Sequence, residues 1–419
     1  MKEACLFFFL STVAVRLLLR WLNLGHLKRH GRKVPDEFAG VVDADTLRKA
    51  AEYTVARDRL GMVEGLAGNL FVLVFFFGGL LPLYDGWISG GGGNFFLSGW
   101  IFFAGLFLLQ YLLDVPFSLY RTFVIENRFG FNTMTVRLWC SDQAKSLGVG
   151  MVLLSLLVLG ALALVKTSPG LWWFWVWGFF ALVSIFLIYL SPYVIEPLFF
   201  KFREVERDDL GEKIRNLMDR AGMTVSRVMQ VDASRRSKHS NAYFTGIGRV
   251  KRIVLFDTLL EQMTDGEILG VLAHEVGHWR LGHLWKRLVT MELVALGVSL
   301  AVFALAGGVG PKSFLWFQSS SFFARLILSG FLLSLAAFPI TPFSSWLSRR
   351  HENQADRFAA DLTGDPTDLA RGLVKLAKSN LANLHPHPLY AWFYFSHPPV
   401  VRRVRELVKK GGAGIEKID

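Results

Sequence analysis

Residues 274–278 read His-Glu-Val-Gly-His, two imidazoles four positions apart with a carboxylate beside the first. On an α-helix, positions i and i+4 stand on one face, so His274 and His278 can turn ring nitrogens toward a single metal ion. Glu275 lies next to that face, placed to take a proton from a zinc-bound water. That constellation supports metal-assisted hydrolysis. The flanking residues, Val271-Leu-Ala before and Trp279-Arg-Leu-Gly-His283 after, are largely apolar. Titratable groups in such a run are costly to bury unless something binds them.

A catalytic zinc takes three protein ligands and leaves a position open. The zinc-binding pattern with a nearby third histidine places a glycine three residues after the second histidine and the third histidine six after it. Positions 281 and 284 are both Leu, so His283 is read as a polar residue where the helix nears a membrane surface, not as a ligand. A second stretch, Arg349–Gly364, presents Glu352 and Asp356 at i and i+4. Glu352 can complete the metal site, and Asp356 can accept the free ring N–H of a ligating histidine. Taken alone, with Arg349, Arg350 and Arg357 beside them, these carboxylates also fit a solvated charged helix face.

Two helices must carry these groups. Thr264 and Glu267 have capping-box spacing, so a helix is expected to start there and run through the histidines. The second is expected around 349–362, ended by Gly364 and Pro366. Between residues 192 and 264, a helix is expected near 206–222. Asn241–Asp257, with alternating apolar residues around a glycine-bearing turn, reads as a β-hairpin.

The remaining sequence is of a different kind. Of 419 residues 52% are hydrophobic and 19% charged, with 37 Phe and 13 Trp, the balance of a multi-pass membrane protein. Seven apolar runs, roughly 4–22, 65–83, 95–113, 146–165, 171–191, 288–308 and 322–343, approach the length that crosses about 30 Å of hydrocarbon. The first carries Arg16 and Arg20 where a cleavage region would lie and is read as a retained helix. Loops 84–94, 166–170 and 309–321 hold only Lys166 and Lys312 between them. Segments 23–64, 114–145, 192–287 and 344–419 are rich in Lys and Arg. This alternation places the amino terminus outside and the large segments in the cytoplasm. The formal charge of +12 is thereby explained by loops facing anionic lipid, and nucleic acid is excluded as the partner. Cys5 and Cys140 are too few for a disulfide framework or a cysteine metal site. Arg16, Arg20, Asn69, Gln110, Glu292 and Arg325 fall within the spans, where polar groups normally face a wet interior.

Four blocks in order, "FVIENRFGFNTMT" (123–135), "SNAYFTGIGRVKRIVLFDTLLEQMTDGEILGVLAHEVGHWRLGH" (240–283), "ENQAD" (352–356) and "SHPP" (396–399), resemble the integral-membrane zinc metallopeptidases of the CAAX prenyl protease 1 type. The resemblance implies one zinc per chain on His274, His278 and Glu352, with Glu275 as general base. It assigns His397 and Arg403 to the substrate carbonyl, and Asn241, Ala242, Tyr243 and Phe244 to an edge strand that receives an extended peptide or protein substrate, which can be lipid-modified. It also implies a mainly α fold, with seven transmembrane helices around an intramembrane chamber and a cytoplasmic zincin-like α+β domain. Residues 1–191 would form the membrane domain and 192–419 the peptidase domain, including the spans near 288–308 and 322–343. His385 and His387 match nothing in the family and are read as loop residues.

The expected location is a bacterial inner membrane, or the endoplasmic reticulum membrane in a eukaryote; the ending "GGAGIEKID" carries no dilysine pair. Bacteria generally lack protein prenylation, so in a bacterium the chemistry would carry over and the prenylated substrate would not. The competing protease reading is an HtpX-like quality-control enzyme, which is shorter and has fewer spans. A transporter would show matching broken helices in two halves, and a non-catalytic scaffold would lack some of the four central residues, all present here.

Overall fold

The computed structural model describes residues 1–419 except 206–207, 224–226, 246–251, 308–319 and 413–419. The hairpin turn, most of the loop bearing Lys312 and the tail beyond Gly412 therefore lie outside the described residues. Seven helical runs among the described residues are long and apolar enough to cross a membrane. The first five are α1 (Lys2–His30), α2 (Ala44–Val72, continued as a π-helix to Phe77), α4 (Phe95–Tyr120, likewise continued to Glu126), α5 (Val136–Thr167) and α6 (Trp172–Val194). Their starts are set locally. Asp43, Asn94 and Thr135 each accept a backbone N–H three residues on, at 2.6, 3.0 and 3.2 Å, supplying partners that a helix amino terminus lacks. Val152, Leu182 and Leu293 are among many large apolar side chains left exposed along the seven runs, as contact with lipid would require.

Two spans differ from expectation. The second closes at Phe77 rather than at 83. Gly79 turns the chain with φ +91°, a conformation glycine adopts without steric cost, and a separate helix α3 (Leu80–Gly90) fills the expected loop. Its buried Asp85 accepts the Ser321 N–H at 2.8 Å, where α12 (Phe322–Ala337) begins. The last span has no loop after it. One 3₁₀ turn, Phe338–Ile340, joins α12 directly to α13 (Thr341–Thr363). Pro339 and Pro342 both fall in first-turn positions, where a missing N–H leaves no bond unmade. The expected helix at 349–362 is therefore the outward extension of the seventh span, and Glu352 rides on it.

The polar part holds a four-stranded sheet in the order β1 (Phe202–Glu204), β2 (Arg227–Val231), β4 (Arg252–Phe256), β3 (Ala242–Thr245). The β2–β4 pair is parallel and the others antiparallel, so β3 is an edge strand. The polar part also holds α7 (Glu196–Phe199), α8 (Asp208–Arg220), α9 (Asp257–Gln262), α10 (Asp265–Arg280), α14 (Pro366–Ser379), α15 (Pro388–Tyr394) and α16 (Val400–Lys410). Span six, α11 (His283–Ala306), leaves from the end of α10. One apolar core joins Ile253 and Leu255 of β4, Ile268, Leu272 and Val276 of α10, Leu369 and Val374 of α14, and Val404 and Leu407 of α16.

Candidate metal centre

Helix α10 starts with both capping-box bonds formed: Thr264 Oγ1 accepts the Glu267 N–H at 3.4 Å, and Glu267 Oε2 accepts the Thr264 N–H at 2.8 Å. The helix carries the two histidines to its carboxyl end, where Gly282 at φ +68° breaks it from α11. It crosses α13 at very close range. A Cβ added at Gly277 would stand 3.1 Å from the Ala355 Cα, and one at Gly270 would stand 2.7 Å from the Leu369 N of α14. Gly277 thus lets α13 bring Glu352 up to the histidines, while Gly270 admits α14 on the same helix.

The result is a compact triangle. His274 Nε2 and His278 Nε2 are 3.2 Å apart; His274 Nε2 lies 3.3 Å from Glu352 Oε2 and His278 Nε2 lies 3.2 Å from Glu352 Oε1. A tetrahedral zinc with bonds of about 2.0–2.1 Å has ligand atoms roughly 3.3–3.4 Å apart, so the donor set and its spacing fit a tetrahedral ion. Glu352 Oε2 is buried and makes no hydrogen bond of proper geometry. Ring nitrogens of His397 and His274 sit 2.7 and 3.3 Å from it.

The surroundings are arranged in depth. His274 Nδ1 lies 2.8 Å from Asp356 Oδ1, which fixes its ring and leaves Nε2 for the pocket. Arg403 donates to both oxygens of Asp356, at 2.9 and 2.7 Å, and is itself buried. Its remaining Nη1 is 3.8 Å from Glu352 Oε2. Burial alone would lower the His274 pKa, yet bonds to Asp356 and Glu352 raise it to about 9. The pocket favours positive charge. Burial also works against the Arg403 charge, and the nearby carboxylates, chiefly Asp356, outweigh it. Glu275 is half-buried, and its charge contributes to that effect. His397 is the open member, with 61% of its side chain exposed.

His274, His278, Glu352, Asp356, His397 and Arg403 come together, with Arg403 engaged mainly with Asp356. His283 departs further. It starts span six, as a residue near the membrane surface would, but it is buried, with Nδ1 3.1 Å from His278 Nδ1. Ala242–Phe244 lie on the edge strand, whereas Asn241 precedes it and accepts the Ala242 N–H at 2.9 Å. The block 123–135 lies apart from the triangle. Glu126 accepts the Tyr53 hydroxyl at 2.7 Å and faces His239 Nε2 at 3.1 Å, while Phe131 stacks on that imidazole. It ties membrane helices to the segment leading into β3. Arg16, Arg20 and Asn69 line a cavity of about 340 Å³ with Tyr390 and Tyr394; Arg20 and Tyr390 also line a neighbouring one of about 440 Å³. His385 and His387 belong to a loop held against α1: His385 Nε2 is 2.8 Å from the Lys33 carbonyl and the His387 N–H reaches Asn23.

A two-histidine, one-glutamate pocket at the end of membrane-spanning helices defines a membrane-embedded metallohydrolase. Residues 23–201 match the family described as CAAX prenyl protease N-terminal, five membrane helices, and residues 204–410 match peptidase family M48. The chain is 32% identical to the CAAX prenyl protease 1 homolog of Arabidopsis thaliana over 89% of its length and 90% of that protein. It is 31% identical to CAAX prenyl protease 1 of Saccharomyces cerevisiae, over 90% and 88%. The crystal structure of S. mikatae Ste24p superposes with a TM-score of 0.88 at 29% identity, covering 97% of this chain and 98% of that one. The chain belongs to the M48 peptidases of the CAAX prenyl protease 1 type. It is a multi-pass membrane metalloendopeptidase with a metal cofactor and a peptide or protein substrate.

Proposed function

We propose that the metal is zinc, one per chain, held by His274, His278 and Glu352, and that the protein cleaves carboxy-terminal CAAX-type peptides, prenylated where the host makes them. The observation that carries this reading is the triangle of ligand atoms at tetrahedral spacing between α10 and α13. Bound there, zinc supplies Lewis acidity toward water and the peptide carbonyl. Glu275 takes the proton from the attacking water and delivers it to the leaving nitrogen. His397, at the open rim, donates to the substrate carbonyl oxygen as negative charge develops on it. Arg403 holds Asp356, which holds the His274 ring, and turns Nη1 toward the same region. An extended substrate adds to β3 beside Asn241–Phe244, where main-chain bonds give affinity without demanding one sequence. Residues 1–191 act as the membrane domain and 192–419 as the peptidase domain. The catalytic side is cytoplasmic, since the Lys- and Arg-rich loops gather there.

The test is incubation of purified protein with a farnesylated CAAX peptide and its unprenylated twin, each with and without chelator. Chelator-sensitive cleavage that favours the farnesylated peptide is the expected result. Equal cleavage of both peptides would point instead to broad quality-control proteolysis, and chelator-insensitive cleavage would remove the metal from the mechanism.

A further inference from the structure

The two nitrogens of His278 look in different directions. Nε2 faces His274 and Glu352, each at 3.2 Å. Nδ1 lies 3.1 Å from Nδ1 of His283, the first residue of α11. His283 Nε2 in turn lies 2.9 Å from Gln354 Oε1, on α13 two positions beyond Glu352. His351 stacks on the His283 ring, with centroids 4.2 Å and planes 11° apart, so the ring that links the two is held in plane.

Proton counting along this chain has one solution. Two facing nitrogens at hydrogen-bond distance share a single hydrogen. A nitrogen that ligates metal must be bare, so His278 carries its proton on Nδ1. His283 Nδ1 must then accept, which leaves the His283 proton on Nε2, where Gln354 Oε1 accepts it. Turning the Gln354 amide by 180° reverses every link. Its NH₂ would donate to His283 Nε2, His283 would protonate on Nδ1, and His278 would carry its proton on Nε2, facing the metal pocket and unable to ligate. We propose that His283 and Gln354 are positioning residues that hold His278 in its metal-binding tautomer. This rests on the reading of His278 as a metal ligand. The two histidine ligands are thus set by different means: His274 by a carboxylate, His278 by a neutral imidazole backed by an amide. The relay also joins α11 and α13, so two membrane helices fix one ligand.

The test is zinc affinity of the full-length, detergent-solubilised protein, measured by competition with a chromophoric chelator, alongside thermal unfolding of the zinc-free form. His283→Leu is expected to weaken zinc binding about 10–100-fold, the usual effect of removing a partner behind a metal-ligating histidine. His283→Asn, which returns an oxygen acceptor near the Nδ1 position, is expected to recover most of that loss. Gln354→Leu should weaken binding, whereas Gln354→Glu, an acceptor only, should keep it or tighten it. Wild-type affinity in a folded His283→Leu protein would overturn the proposal. So would equal losses in Gln354→Leu and Gln354→Glu, a comparison that stands even where the His283 variants fail to fold. Unchanged zinc affinity in His278→Ala would strike instead at the ligand reading beneath it.

Discussion

The α10–α13 crossing and the two features assigned to substrate, His397 at the rim and the edge strand β3, are built on opposite principles. At the crossing, His274, Glu352, Asp356 and Arg403 are buried, and each is held by another member of the group. At the rim, His397 is largely exposed and β3 keeps one edge unpaired among the described strands. On the proposed reading, the first region is finished before substrate arrives and the second is completed by substrate. Removing a group from the crossing should therefore disturb metal binding, while removing one from the rim should leave metal in place and slow turnover.

The largest loss with zinc retained is expected from Glu275→Gln. The amide cannot take the proton, so kcat should fall roughly 10²–10⁴-fold, with metal content from elemental analysis unchanged. Substantial residual turnover would mean that another base acts. The rim and crossing separate most cleanly in the next pair. His397→Ala should lower kcat by roughly 10²–10³-fold while zinc stays near one per chain. Arg403→Ala should lower zinc occupancy as well, because it frees Asp356. Identical zinc content in the two variants would erase the distinction drawn between them. A smaller and purely steric effect is expected at Gly277. Its substitution by Ala places a methyl against the Ala355 backbone and should cost about 1–3 kcal/mol in stability. That loss would appear as a lower melting temperature, with a modest fall in zinc affinity as the helices part.

Much of the crossing could be read in the chain because helical periodicity is local. The spacing of His274 and His278, the Thr264–Glu267 cap and the i, i+4 pair Glu352 and Asp356 each report on a single helix. What stayed hidden depends on how helices meet. Gly277, between the two histidines, looks like an arbitrary position in the motif until α13 is seen packed against it. His283 reads as a surface residue because no local pattern pairs it with His278 and Gln354 across the α10–α11 break and α13. The expected span 322–343 and the helix at 349–362 read as separate elements; they join because Pro339 and Pro342 both sit where a helix tolerates them. Arg403 was assigned by resemblance to the carbonyl, and only the fold brings out its grip on Asp356.

The central claim is that α10 and α13 together hold one catalytic zinc, and it is tested most directly by metal analysis of Glu352→Ala beside the wild-type protein. The account predicts one zinc per chain in the wild type and little or none in a Glu352→Ala protein that still melts cooperatively. Full zinc occupancy in that variant would contradict it.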